Sequence, residues 1–302
     1  MNFQSELAII ITLLVVLIII GLFGNIISIF IFSDNEFRKQ PPAFYLIVAS
    51  FVNIITLLYL PFTALPVIWP IDDLACKFFG GIMLASSEYQ SFMVSICSID
   101  RLITVFYQFK YLFKNKIKFQ IPLIVILLIV ITGLVIPAVY FYDKETTSDN
   151  QTLCAFSNDP KLIWAFNYFK TQFILFRTII PFILMIVSSS LIFWKIRSNK
   201  RKVGALNASQ KKAYQLGKTL IVMDILFCLF RLPTLINTVI NPNGSDRIVY
   251  SLFYSMFVLF AAVHNAFTFL IFLIFNKAYR KLFFIHKKKF KSFVIKNRVS
   301  SV

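Results

Sequence analysis

Charge is scarce in this chain. Only 15% of its 302 residues are charged and only 13 are Asp or Glu, whereas about a quarter of a soluble globular protein is charged, so water is not the main solvent of this surface. Glycine is also scarce, at eight residues, and no glycine-rich or serine-rich stretch interrupts the chain. That leaves no room for a flexible linker or a disordered tail and predicts a single domain over 1–302. Histidine occurs twice, at His264 and His286, and there is no Gly-x-Ser-x-Gly and no His-Glu-x-x-His. The common serine-hydrolase and zinc-protease sites are therefore excluded, and no enzyme activity, cofactor or metal is expected.

What is abundant is apolar: 58% of the chain is hydrophobic, and 36 residues are phenylalanine. A helix rising about 1.5 Å per residue needs about 20 apolar residues to cross about 30 Å of hydrocarbon. Seven runs of that kind occur, at 8–32, 43–69, 78–107, 121–142, 163–194, 216–240 and 248–275. They are continuously apolar and do not alternate with a period of two, so the predicted fold is an all-α membrane bundle of seven transmembrane helices, not a barrel.

The net charge of +18 would suggest nucleic acid in a soluble protein, but 23 of the 31 Lys and Arg fall in the segments after runs one, three, five and seven. The other connecting segments hold mostly acids, among them Asp72, Asp73, Asp143, Glu145 and Asp246. Basic short loops stay on the cytoplasmic side. The expected arrangement is therefore a multi-pass protein of the plasma membrane with its N-terminus extracellular and its C-terminus cytoplasmic, the first run acting as its own signal anchor. Nucleic acid is not expected as a partner; anionic membrane lipids are.

Asn150 and Asn243 each begin an Asn-x-Ser/Thr acceptor in segments assigned to the outside, and both are expected to carry glycan. Four cysteines allow three pairings. Cys97 and Cys228 lie inside membrane runs, which leaves Cys76 and Cys154 as the pair facing an oxidising compartment, and a disulfide between them is expected.

Seven helices with a disulfide from the outer end of helix three to the second outer loop resemble the rhodopsin-like G-protein-coupled receptors, over nearly the whole chain. The residues that carry the resemblance are Gly24-Asn25 in helix one, Asp100-Arg101-Leu102 ending helix three, Pro181 in helix five, Phe227 and Pro233 in helix six, and Asn265-Ala-Phe-Thr-Phe269 in helix seven. Cys76 and Arg101 are 25 residues apart, about 37 Å of helix, so they belong at opposite mouths of the membrane. After helix seven, Tyr279, Leu282, Phe283, Phe290 and Phe293 recur among lysines and arginines as in the family's eighth helix, and an amphipathic helix over about 277–294 is expected on the inner leaflet. The sequence also departs from the family. The helix-two Asp is replaced by Ser50, with Asn53 one turn on, and Ala261 and Ala262 stand in helix seven, so a sodium site, which needs a carboxylate, is not expected. Arg231 replaces the helix-six Trp, and Ala266 replaces the helix-seven Pro.

The resemblance implies a receptor that takes an extracellular ligand between the outer halves of its helices and activates a heterotrimeric G protein through Asp100 and Arg101. Asn25, Ser50, Pro181, Phe227, Pro233, Asn265 and Phe269 fall at its switch positions. For the ligand, the residues to consider are Glu88, twelve residues from Cys76, with Arg177 and Arg231 at depths from which a guanidinium reaches the same cavity. Two arginines against one carboxylate point to an anionic small molecule or a peptide C-terminus. The competing readings are a membrane transporter and a seven-helix protein that does not signal. Neither internal repeats nor glycine-broken half-helices favour the first. No lysine occurs in 248–275, which excludes a retinal Schiff base.

Overall fold

A computed structural model describes residues 3–38, 42–64, 72–106, 116–140, 142–146, 152–156, 168, 171–198, 208–240 and 247–286. The apolar runs are helices, most of them longer than the runs themselves: α1 (Phe3–Ser33), α2 (Ala43–Ala64), α3 (Asp73–Phe106), α4 (Lys116–Tyr140), α5 (Ile180–Ser198), α6 (Ala208–Ile240) and α7 (Arg247–Phe275). A single helical turn, Asn35–Arg38, follows α1. Polar residues at the helix ends account for the extra length. α3 starts at Asp73 and not Phe78, because Asp72 Oδ1 accepts the Ala75 N–H at 2.7 Å and caps the first turn. α4 stops at Tyr140, and Tyr142, expected to end that helix, instead opens β1 (Tyr142–Thr146), which pairs antiparallel with β2 (Thr152–Phe156).

Helix packing closes a ring. α1 packs on α2 and α7, α2 on α3, α3 on α5, α5 on α6 and α6 on α7, while α4 lies outside the ring against α3 and α2. The hairpin sits against α3. Position in the bundle matches composition. Peripheral α4 exposes Ile126, Leu128, Ile129 and Val130 in near succession, a surface that only hydrocarbon solvates well. Among the described residues, four helices contain stretches long and apolar enough to cross a membrane by composition alone, within α1, α2, α4 and the α5 region. Central α3 is less apolar because a buried polar stripe, Ser87, Ser91, Ser95 and Ser98, runs along one face at intervals of three and four. Ser91 and Ser95 each donate to the carbonyl four residues back, at 3.0 and 2.9 Å, so they satisfy themselves and let neighbouring helices approach closely, while Ser98 has the Val94 carbonyl within reach at 3.1 Å. α1 and α7 also meet closely: a Cβ at Gly24 would run into the ring of Phe269.

Immediately before α5, Phe173–Ile179 form a π-helical segment. Arg177 lies in it, so its direction does not follow from the 3.6-residue period. At the other end of the bundle Asn276 breaks the helix and its Oδ1 accepts the Tyr279 N–H at 3.0 Å, starting α8 (277–286). The Arg280 guanidinium caps the last carbonyls of α7, Leu273 and Ile274, at 3.3 and 3.0 Å. Of the residues expected to recur along that helix, Tyr279 and Leu282 are buried. Tyr279 Oη and Ser28 Oγ lie 2.8 Å apart, and the ring packs among Phe32, Phe37 and Phe272. The amphipathic helix thus spends part of its apolar face docking to the bundle. Phe290 and Phe293 lie outside the described residues.

Candidate functional site

Five helices send polar side chains to one buried centre. Asn25 on α1 donates to the Gly21 carbonyl at 2.8 Å and to the Asn265 carbonyl at 2.9 Å. Asn53 on α2 donates to Asn25 Oδ1 at 3.0 Å. Gln90 on α3 donates to Asn53 Oδ1 at 2.8 Å and also to Asn265 Oδ1 on α7. Arg231 on α6 completes the set, donating to Ser87 Oγ through both terminal nitrogens at 3.3 Å and to Gln90 Oε1 at 3.4 Å. Its guanidinium also lies 5.2 Å from the ring of Phe227, one turn away, and Phe227 packs edge-on against His264 at 5.0 Å. All of these polar residues are buried. A cavity of about 10 Å³, room for one water molecule, lies against Asn53, Gln90, His264 and Thr268.

Ser50 was expected at a switch position on helix two, with Asn53 one turn on. In the structure Ser50 donates to its own Leu46 carbonyl at 2.9 Å, and Asn53 is the residue that reaches α1 and α3. Gln90 and Ser87 were not singled out; polar residues in the middle of an apolar run were the available signal. Phe269 packs on Gly24, and Pro181 offers its carbonyl to Ser95 at 3.4 Å. Pro233 falls within α6, with a side chain outside the described ones, and Asn150 and Asn243 are not among the described residues.

Towards the Cys76 end, Glu88, Arg177 and Arg231 are all buried. Arg177 is near enough for its charge to act on both Glu88 and Arg231, so the three belong to one electrostatic cluster. Glu88 Oε2 and His264 Nδ1 have no hydrogen-bond partner among the described residues.

Towards the Arg101 end a second polar knot ties three helices. Asp224 on α6 accepts from Ser98 of α3 at 2.9 and 2.8 Å through its two oxygens, and from Ser189 of α5 at 2.6 Å. Arg101 is buried, with Asp100 and Cys97 near enough to act on it electrostatically. Cys97 and Cys228 are free thiols.

A seven-helix membrane bundle with a polar core reaching five helices, and a buried Arg101 beside Asp100 near the end of its central helix, defines a class of membrane receptor. Residues 24–268 match the family described as 7 transmembrane receptor (rhodopsin family), and the chain belongs to it. It is 26% identical over 231 residues to the lysophosphatidic acid receptor 6 of Mus musculus, an alignment covering 74% of this chain and 65% of that one. It is 23% identical to the N-arachidonyl glycine receptor of Bos taurus, covering 70% and 64%, and 24% identical to the G-protein coupled receptor homolog Q2/3L of Sheeppox virus (strain KS-1), covering 72% and 56%. The chain thus matches about two thirds of the length of these relatives, or somewhat less.

Proposed function

We propose that this chain is a receptor for an anionic extracellular ligand and that it activates a heterotrimeric G protein. The observation that carries the reading is the cluster of two guanidinium groups, Arg177 and Arg231, with a single carboxyl, Glu88, all buried between helices. Buried ionisable groups at membrane depth are costly and mark ligand or ion sites. An anion would balance the surplus positive charge, and a donor on the ligand would satisfy Glu88 Oε2. Two relatives are named for lysophosphatidic acid and N-arachidonyl glycine, which both join one acyl chain to an acid group. An acyl-chain acid is therefore the first ligand class to test, and a peptide with a free C-terminal carboxylate the second.

In this reading the N-terminus and the Cys76 end face outward, and the Arg101 end faces the G protein. Ligand binding favours a packing in which α6 moves away from α3 and bares Arg101. The basic segments, including α8, lie on anionic inner-leaflet lipid. Glycan is carried at Asn150 and Asn243, and Cys76 bonds to Cys154. That pairing is supported by the bonded state of the Cys76 sulfur, the free thiols at Cys97 and Cys228, and the packing of β2, which carries Cys154, against α3. The test is ligand binding to the protein in lipid vesicles. Arg177→Ala and Arg231→Ala should each weaken an acyl-chain acid by about 2 kcal/mol, or about thirtyfold in Kd, while Glu88→Gln keeps or improves it. A cationic amine as the agonist would overturn the reading.

A further inference from the structure

Helix five approaches the ligand cluster through a winding unlike the rest of the bundle. In an α-helix, residues five apart stand about 140° from one another around the axis, which would point Gln172 and Arg177 to different sides. The π-helical segment Phe173–Ile179 changes that, because its bonds span five residues and not four: the Ile180 N–H reaches back to the Leu175 carbonyl. Residues five apart then come towards one face. Gln172 and Arg177 are 6% and 2% exposed, whereas Leu175 between them is 40% exposed. The segment packs against α3, which carries Glu88, and against α6, which carries Arg231. Two polar atoms of this region are unsatisfied. Gln172 Nε2 is a donor and Glu88 Oε2, in an ionised carboxyl, an acceptor. Both residues are buried, and neither atom has a hydrogen-bond partner among the described residues. Leaving such groups unpaired is costly.

We propose that the ligand site contains an amide subsite: Gln172 donates to the carbonyl, and Glu88 accepts the N–H, of a secondary amide that joins an acyl chain to the acid group held by Arg177 and Arg231. The acid contact rests on the ligand reading above; the amide subsite rests on the two unsatisfied atoms and the π-helical phase. A donor and an acceptor that do not bond to each other need a group that brings one of each. A planar amide holds its carbonyl and its N–H rigidly on opposite edges, whereas a hydroxyl would have to meet both partners at a single oxygen. An ester supplies the carbonyl but sets an oxygen against the carboxylate, and a simple fatty acid supplies neither. The ligand class is therefore an N-acyl amino acid, and Gln172 and Glu88 determine that specificity.

The experiment measures equilibrium binding of three probes to the full chain in lipid vesicles: N-oleoyl glycine, the oleic ester of glycolic acid, and oleic acid itself. The natural chain should bind the amide about tenfold more tightly than either of the others. Gln172→Met should weaken the amide and the ester alike, by about tenfold relative to oleic acid. Glu88→Gln should instead bring the ester to within about twofold of the amide, because a glutamine can turn its NH₂ to an ester oxygen. Equal binding of amide and ester by the natural chain, a comparison that needs no variant, overturns the subsite. So does a preference for the amide over oleic acid that survives Gln172→Met in folded protein. Arg177→Ala separates the two ideas, since it should weaken all three probes by the same factor. Probes that bind regardless of Arg177, with preferences that follow Gln172 and Glu88, refute the anion reading and leave the amide subsite standing. Arg177-dependent binding with preferences that ignore Gln172 and Glu88 refutes the subsite alone. If none of the three probes binds, both fall.

Discussion

Asp224 is held by two serine hydroxyls, Ser98 and Ser189, and the two ways of breaking that hold should differ in cost. Ser98 has the Val94 carbonyl within reach at 3.1 Å, so if Asp224 becomes Leu the Ser98 hydroxyl keeps a partner on its own helix. The site also gains apolar contact, so Asp224→Leu should be near neutral or stabilising, as when a buried polar set is replaced by apolar groups of similar shape. Removing the donors is different. Ser98→Ala with Ser189→Ala leaves a 3%-exposed carboxyl without either of its hydroxyl donors, which costs about 3 kcal/mol or more for the charged form. At about 2 °C per kcal/mol for a chain of this size, the melting temperature should fall by roughly 6 °C. The protein supplies its own reporter: Cys97 is buried and free, so a maleimide that fluoresces on reaction with thiols follows unfolding in detergent. A larger loss in Asp224→Leu than in the double serine variant would refute the reasoning, because the carboxyl would then be the stabilising partner.

Three further outcomes are expected. Gly24→Ala should cost about 1–3 kcal/mol, read as lower thermal stability and less monodisperse protein, since the new methyl meets the Phe269 ring. Tyr279→Phe and Ser28→Ala each remove the bond between α8 and α1, so each should cost about 1 kcal/mol and the pair no more than either alone, in a thermal double-mutant cycle. Cys76→Ser and Cys154→Ser should lose the same amount, about 2–4 kcal/mol, with a matching fall in surface expression; unequal losses would argue against their pairing.

The membrane helices were legible because burial in hydrocarbon demands long apolar runs whatever the packing. The ends of α3 and α4 were less so: an Asp cap adds polar residues to the first, and Tyr142, apolar enough to join the run, serves β1 instead. The polar centre was half visible. Asn25 and Asn265 were marked by position, but the choice between Ser50 and Asn53 turns on helix rotation. Three residues are about 60° apart around a helix, and only packing decides which one faces Asn25. Serine can satisfy itself on its own backbone, as Ser50 does, whereas Asn reaches further and needs a partner. Arg231 stood out as an arginine inside an apolar run, yet its acceptors did not, because Ser87 and Gln90 lie among other uncharged polar residues of the same helix. Arg177 lies in a π-helical segment, a feature that leaves no periodic trace in the sequence. Tyr279 and Leu282 alternate with lysine and arginine as a lipid-facing helix would, and the aromatic socket of Phe32, Phe37 and Phe272 that claims the tyrosine is built from α1, the turn after it and α7.

The most direct measurement is nucleotide exchange on purified heterotrimeric G proteins by the full chain in vesicles, with a panel of acyl-chain phosphates and carboxylates added. At least one such acid should accelerate exchange. Arg101→Ala should abolish the response while leaving ligand binding intact, since Arg101 lies 13 residues from Glu88, about 20 Å along α3. An Arg101→Ala protein that still drives exchange as well as the natural chain would contradict the account.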